Sequence, residues 1–406
     1  MHFHKGGTHQ KGEMRKVYDW DTNKYLGEIP QANRTYNVIG QMNENQVSVT
    51  ETTFGGREEL VDSTGRVDYG SLIYIALERS RTAREAIDVM TQLVAEYGYA
   101  SEGETFSIGD PDEIWVMDLI GKGSGNKGAV WVARRIPDDC ISGHANQARI
   151  HTFPQEGRKL KKVPSVINYP GSGLKTKSYI RYEVGDSCYF SADLITFARS
   201  CGKYDAQGSD RDFDFSKAFA DQDYTAYRGC DGRVWAWYNR CAKGMEKYFP
   251  FVDMQGKPTA TGYVNDKGED VPVLPLYIKA DRLLSHRDVQ EAMADHYEGT
   301  PWDMTQDVGA GPFGSPYRWR PLTWEVDGKE YMHERAIGTQ QTGFTFVAEM
   351  RGWLPREVGA KTWYGVDDAA SALFIPIYNN ILESPECLRP GNGDLLTFSW
   401  TSLFWM

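Results

Sequence analysis

Cysteine is scarce in this chain. Six are spread over 406 residues, at positions 140, 188, 201, 230, 241 and 387, and no two form a Cys-x-x-Cys pair. That spacing excludes the usual zinc frameworks and a dense disulfide scaffold, while a single disulfide among the four from Cys188 to Cys241 stays open. Long apolar runs are missing too: none approaches the roughly 20 residues that cross a bilayer as a helix. The opening Met1-His-Phe-His-Lys5 has none of the apolar character of a secretory leader. Nor is there a basic surplus, since 45 Lys and Arg stand against 56 Asp and Glu, a formal net charge of −11. A nucleic-acid partner needs a concentrated basic surface to neutralise phosphates. The one short basic run, Arg158-Lys-Leu-Lys-Lys162, sits among Gly, Pro and Ser and reads as a solvated loop. No internal repeat or low-complexity tract is present.

What the chain does have is core-forming material. It is 40% hydrophobic and carries 23 Tyr, 17 Phe and 12 Trp, enough for one large core or two ordinary ones. No linker-like stretch separates two halves, so residues 1–406 are expected to form a single domain. Self-association into a homo-oligomer is left open.

Periodicity places the elements. Residues 45–54 alternate and are β-branched, as a strand covered on one face should be. Gly70 to Glu78 is apolar almost all round and predicts a buried helix. The next helix starts at Thr82, with Glu85 three residues on in capping-box spacing. Its stripe is Ala86, Ile87, Met90, Leu93, Val94 and Tyr97, and Gly98 ends it. The period then changes. Thr105–Gly109, Glu113–Ile120 and Gly128–Ile136 read as strands, joined by a turn at Asp110-Pro-Asp112 and by Gly121-Lys-Gly-Ser-Gly-Asn-Lys-Gly128. Ile114–Ile120 is apolar on both faces, which suits a sheet covered on both sides. Helices followed by such a meander predict a layered α/β architecture. Residues 155–185 read as a loop-rich insertion. Asp193–Ser200 reads as a short helix, Arg233–Arg240 as the start of another, and 301–330 as irregular surface loops.

Two separated motifs carry a family resemblance. One runs from Tyr36-Asn-Val-Ile-Gly-Gln-Met-Asn-Glu44 to Glu51-Thr-Thr-Phe-Gly-Gly-Arg57; the other is Arg135-Ile-Pro-Asp-Asp-Cys-Ile-Ser-Gly-His-Ala-Asn-Gln-Ala-Arg-Ile150. Both resemble the bacterial dipeptidase family typified by dipeptidase A, to which secernins are related and, more distantly, bile-salt and penicillin acylases. Lys11–Trp20, Thr342–Arg351, Trp353-Leu-Pro355 and Trp363–Asp368 resemble it in the same order, the last three as core strands and a turn. The resemblance implies a four-layer αββα sandwich of the N-terminal-nucleophile hydrolase type. It also implies hydrolysis of short peptides without a cofactor or metal.

In that family a cysteine freed at the mature N-terminus attacks, and its own α-amine accepts the thiol proton. The first cysteine here is Cys140, and the family's Asp-Gly-Ser segment after the nucleophile has no counterpart. The resemblance therefore implies that the catalytic start lies outside this chain. The apolar close, Leu395–Met406, reads in the same way as an element cut short. Residues 1–406 are then expected to be a fragment without thiol-dependent peptidase activity, periplasmic or secreted if a leader precedes them and cytoplasmic otherwise. The alternative is a non-catalytic, secernin-like binding or scaffold protein on the same fold.

Three site residues carry over. Asn146, in His144-Ala-Asn-Gln-Ala-Arg149, matches the side-chain amide that donates to the oxyanion; its bland reading is a turn cap. Arg233, before Val-Trp, matches an arginine near the nucleophile that favours a thiolate and holds a substrate carboxylate or carbonyl; otherwise it is a helix-surface salt-bridge arginine. Thr53 aligns with an oxyanion or pocket position, although threonine at a strand end is common on structural grounds. Competing clusters carry less. Cys140 and His144 could meet on a helix, but Ser142-Gly143 favours a loop and a structural cysteine. His2, His4 and His9 read as disordered rather than metal-binding. Gly121–Ala129 has only the composition of a phosphate loop, so a hairpin turn is expected there.

Overall fold

The computed structural model describes residues 3–165, 179–205, 207–259, 263–318, 323–384, 386–389, 394, 396 and 397. Of the closing apolar run only Leu396 and Thr397 are among them, and His2 lies outside them. A ten-stranded antiparallel sheet dominates. Its strands are β1 (Phe3–His4), β2 (Val38–Ile39), β3 (Met42–Asn43), β4 (Ser48–Phe54), β5 (Gly103–Gly109), β6 (Ile114–Gly121), β7 (Ala129–Ile136), β8 (Lys159–Val163), β9 (Tyr179–Val184) and β10 (Cys188–Ser191). They lie in the spatial order β1-β2-β3-β4-β5-β6-β7-β10-β9-β8. The meander β4 to β7 is its centre, with β4 paired to β5 from Ser48↔Gly109 to Phe54↔Gly103 and β6 paired along both edges.

Alternation along β6 splits its apolar residues between two cores. Trp115, Met117 and Leu119 join Val49, Phe106 and Ile108 beneath helices α1 (Tyr69–Arg79) and α2 (Ala83–Tyr97). Ile120 faces the other way, with Phe54, Val130 and Val132, against α3 (Leu194–Ser200) and α4 (Phe215–Phe219). A third cluster forms around α5 (Gly232–Cys241), with Val234, Trp235, Tyr238, Tyr297 and Trp302. Helix α6 (His286–Met293) follows, capped by a reciprocal Ser285–Asp288 box. Phe344–Met350, Ala360–Val366 and Ile375–Tyr378 form a separate three-stranded sheet.

The helix signals hold with one change. Thr82 accepts from the Glu85 N–H, and Gly98 ends α2 with φ +81°. Glu85 does not close the box on Thr82; its carboxylate passes it to take the Arg81 N–H at 2.8 Å and the Arg81 guanidinium at 2.7 Å. The charged donor makes that the stronger bond.

Four other expectations are corrected. The basic run is not a loop: Lys159–Val163 is strand β8, paired with β9 from Lys159↔Glu183 to Val163↔Tyr179 at the sheet edge. Its first four side chains are exposed, so no apolar stripe advertises the strand, and lysines on an edge oppose pairing with other chains. The insertion read over 155–185 thus contributes two strands, while residues 166–178 lie outside the described ones. Within 301–330, Trp302, Met304, Ala310 and Arg318 are buried rather than superficial, and Arg318 grips both oxygens of Asp307 at 2.7 and 2.8 Å. His4 and His9 are ordered, each with Nε2 on the Thr35 hydroxyl at 3.1 and 3.0 Å.

The five described cysteines outside position 387 are free thiols. Among the described residues no helix is long and apolar enough to cross a membrane.

Candidate functional site

The site forms where the loop 143–149 meets the edge of β4 and the start of α5. A short strand, Cys140–Ser142, paired to Tyr277–Lys279, delivers the chain into that loop. Asn146 sits there with φ +55°, a left-handed conformation that asparagine tolerates better than most residues. Its neighbours hold the loop. Gln147 Nε2 donates to the Asp221 carbonyl at 2.8 Å. Arg149, fully buried, donates to Asp231 at 2.9 Å, to the Gly143 carbonyl at 3.2 Å and to the Pro275 carbonyl at 2.8 Å. The Arg149–Asp231 pair therefore ties the loop to the root of α5.

That root is unusual. Residues Thr225–Asp231 wind as a π-helix that runs directly into α5. Such segments recur at functional sites because they re-aim side chains. Arg233 is carried on the first turn beyond it. Its Nε donates to the Gly229 carbonyl at 2.9 Å, and its Nη2 to the Ala145 carbonyl at 3.1 Å and to Asn146 Oδ1 at 2.8 Å. No carboxylate among the described residues pairs with it, so it is not the surface salt-bridge arginine. With its oxygen on Arg233, the Asn146 amide turns its NH2 to the Thr53 carbonyl at 2.7 Å.

All three sequence-selected residues are thus linked in one hydrogen-bonded chain. Thr53 enters it through its backbone; its hydroxyl points to the α1–α2 side of the sheet and donates to Glu104 Oε1 at 2.9 Å. Burial, then the neighbouring Glu51 charge, raises the Glu104 carboxyl well above the usual range. Glu51 is raised as well, by burial first. Neither carboxyl is evident from the sequence, where each is a single acidic residue inside a β-branched strand. Asp231 and the π segment were equally silent.

Beside the chain lies a cavity of about 330 Å3 that Arg233, Ala145, His144 and Thr52 help to line. Both ring nitrogens of His144 are occupied, Nδ1 with the Thr52 hydroxyl at 2.7 Å and Nε2 with the Ser107 hydroxyl at 2.8 Å. Burial, then the Arg149 charge, lowers its pKa to about 3, so it is neutral at ordinary pH. It is not partnered with Cys140, whose thiol turns to Asp139 at 3.7 Å. Burial and then Asp139 raise the Cys140 pKa, the opposite of what a nucleophile needs. Cys230 neighbours Arg233, but burial raises it too, despite the guanidinium. Among the described residues no His/Cys/Asp/Glu cluster could hold a metal. Gly121–Gly128 is the hairpin between β6 and β7.

The sequence model described as Peptidase family C69 matches residues 7–406. The chain belongs to peptidase family C69. It is similar to dipeptidase A of Lactobacillus helveticus, 23% identical over 367 residues covering 90% of this chain and 61% of that protein. A dipeptidase of Bifidobacterium longum is 22% identical over 337 residues, covering 82% of this chain and 51% of that protein. This C69 chain thus matches between about half and three-fifths of the length of these curated relatives. Its site offers a clamped amide, a cation in no salt bridge among the described residues, and a cavity that the cation lines.

Proposed function

We propose that this C69 protein hydrolyses short peptides, dipeptides among them, through a cysteine acyl-enzyme. The observation that carries the reading is the chain Arg233–Asn146–Thr53, whose Arg233 lines the cavity. An amide nitrogen has two N–H groups. One of Asn146's goes to the Thr53 carbonyl, and the other is left for the oxygen of a scissile carbonyl. Arg233, donating to the amide oxygen, polarises it and strengthens that remaining donor. A thiolate would form an S–C bond at the carbonyl carbon as the C=O π pair moves onto the oxygen, giving an oxyanion held by Asn146. Collapse expels the amine, protonated by the base that took the thiol proton, and water then releases the acyl group. Arg233 also attracts a substrate carboxylate.

The upward shift that burial gives Cys140, Cys188, Cys230 and Cys241, and the place of Cys201 in the C-terminal cap of α3, favour none of these five as the attacking thiol. We place it outside the described residues, as a cysteine freed at a mature N-terminus, on a single-domain four-layer αββα sandwich. The continuous family match over 7–406 and the helix pair on one face of the large sheet support that architecture.

The test is a dipeptide panel assayed with protein expressed from its intact gene, including whatever flanks these residues, with and without iodoacetamide. Amino-acid release abolished by iodoacetamide is expected. Peptide binding with no release would replace this reading with a non-catalytic binding protein of the secernin kind.

A further inference from the structure

The cavity beside Arg233 is built mostly from apolar side chains. Val234 and Trp237 face it from α5, Val289, Ala292 and Met293 from α6, and Ile337 from the segment that follows. The spacing explains this: 234 and 237 lie one turn apart on α5, as do 289, 292 and 293 on α6, so each helix offers one stripe. The polar groups along the rest of the wall are already engaged. Ser142 Oγ donates to the Leu276 carbonyl at 2.6 Å, and its carbonyl accepts from the Trp237 indole at 3.2 Å. His144 has both nitrogens occupied and is neutral. Arg233 is left as the one charged group among the described lining residues.

The walls are also pinned to each other. Asp295, buried just past α6, accepts from Arg240 on α5 at 2.7 Å, and its carbonyl accepts from the Gly338 N–H at 2.8 Å. Gly338 sits so close that a Cβ there would lie 2.9 Å from the Ala294 carbonyl carbon. One residue thus locks α5, α6 and the Ile337 segment, and the cavity exists before any ligand arrives. At about 330 Å3 it is at the small end of ligand sites.

We infer that this cavity is a specificity pocket for one large aliphatic or aromatic side chain of a short peptide, with the peptide's carboxylate or carbonyl at Arg233. The inference rests on the hydrolase reading and narrows its substrate class. A charged side chain would exchange water for saturated polar groups and hydrocarbon, whereas an apolar one gains the transfer free energy of its surface. An acidic side chain could reach Arg233 only by competing for the place given to the peptide's own carboxylate.

The experiment separates binding from turnover. Calorimetric titration of the protein expressed from its intact gene with Leu-Leu, Phe-Leu, Gly-Gly, Asp-Asp and Lys-Lys reads the pocket whether or not hydrolysis follows. The apolar pair should bind about tenfold or more tighter than the other three. Met293→Glu, on a half-buried helix position, should erase that difference, and Met293→Leu should keep it. Equal or tighter binding of the charged dipeptides would overturn the inference, as would a Met293→Glu variant that keeps the preference, or a failure of every dipeptide to bind. Apolar-selective binding without amino-acid release upholds the pocket and removes only the hydrolase reading.

Discussion

Arg233 and Asn146, 87 residues apart in sequence, meet through a 2.8 Å hydrogen bond from the guanidinium to the amide oxygen. That bond sets which way the amide faces, because the oxygen is committed to a cation and the NH2 turns toward the Thr53 carbonyl. Arg233 holds the amide in place, and under the proposed reaction it also meets the substrate's carboxylate or carbonyl. Arg233→Lys retains the charge but not the planar fork that reaches three acceptors at once. In the intact protein it is expected to lower kcat for dipeptides about tenfold or more, with KM changed less. Steady-state kinetics on both constants checks this. A rise in KM with kcat intact would mean that Arg233 only binds substrate.

The buried Arg149–Asp231 pair is the structural partner of that contact. Arg149→Met strips buried Asp231 of its hydrogen-bonded counter-charge, leaving only the His151 and Arg233 charges to act on it, and should cost about 3–5 kcal/mol in urea unfolding. Adding Asp231→Leu should return a large part of the loss, since the penalty lies in the orphaned charge. If the double variant is no more stable than the single one, the hydrogen bonds from Arg149 to Gly143 and Pro275 are what matter.

Glu104 is expected to set a pH dependence. Its carboxyl is raised in the folded state by burial and then by Glu51, so the fold favours the protonated form. Its contribution is full below the unfolded carboxyl value of about 4.3 and is lost as pH rises toward the folded one. Glu104→Gln mimics the protonated group. Its unfolding midpoint should gain on the wild type as pH increases from 5 to 8, and parallel curves would show that Glu104 is already ionised.

His151 and Asp214, 3.0 Å apart, titrate in the opposite sense to a pair of like charges. Burial works to discharge His151, but the Asp214 charge and hydrogen bond outweigh it and raise its pKa; for Asp214, burial is outweighed by His151 and the pKa falls. The His151 contribution is therefore full below about pH 6.5 and fades as pH passes its raised folded value, while that of Asp214 fades in acid. Asp214→Asn should remove the alkaline loss from a plot of unfolding free energy against pH. An unchanged slope would assign that loss to other groups.

Legibility followed physical signal. Helix α2 was readable because an apolar stripe, a Thr82 cap and Gly98 agree with one another. Asn146 and Arg233 were readable because each sits in a motif, yet nothing local said that they would touch, or that Thr53 would join through its carbonyl. Strand β8 was hidden because exposed lysines on a sheet edge leave no alternation. Glu104 and Asp231 were hidden because burial of a lone carboxyl is a tertiary property. The lock at Asp295 needs α5, α6 and Gly338 together, which no sequence window spans.

The most direct measurement is kcat/KM for an apolar dipeptide with the intact protein and its Asn146→Gly variant, glycine being chosen because it accepts φ +55° without strain. Loss of one oxyanion donor should lower the rate about 100- to 1,000-fold, mainly in kcat, in a variant that is still folded at the assay temperature. A variant within about threefold of wild-type activity, a difference well under the 1.4 kcal/mol that tenfold represents, would contradict the assignment of Asn146 to the oxyanion.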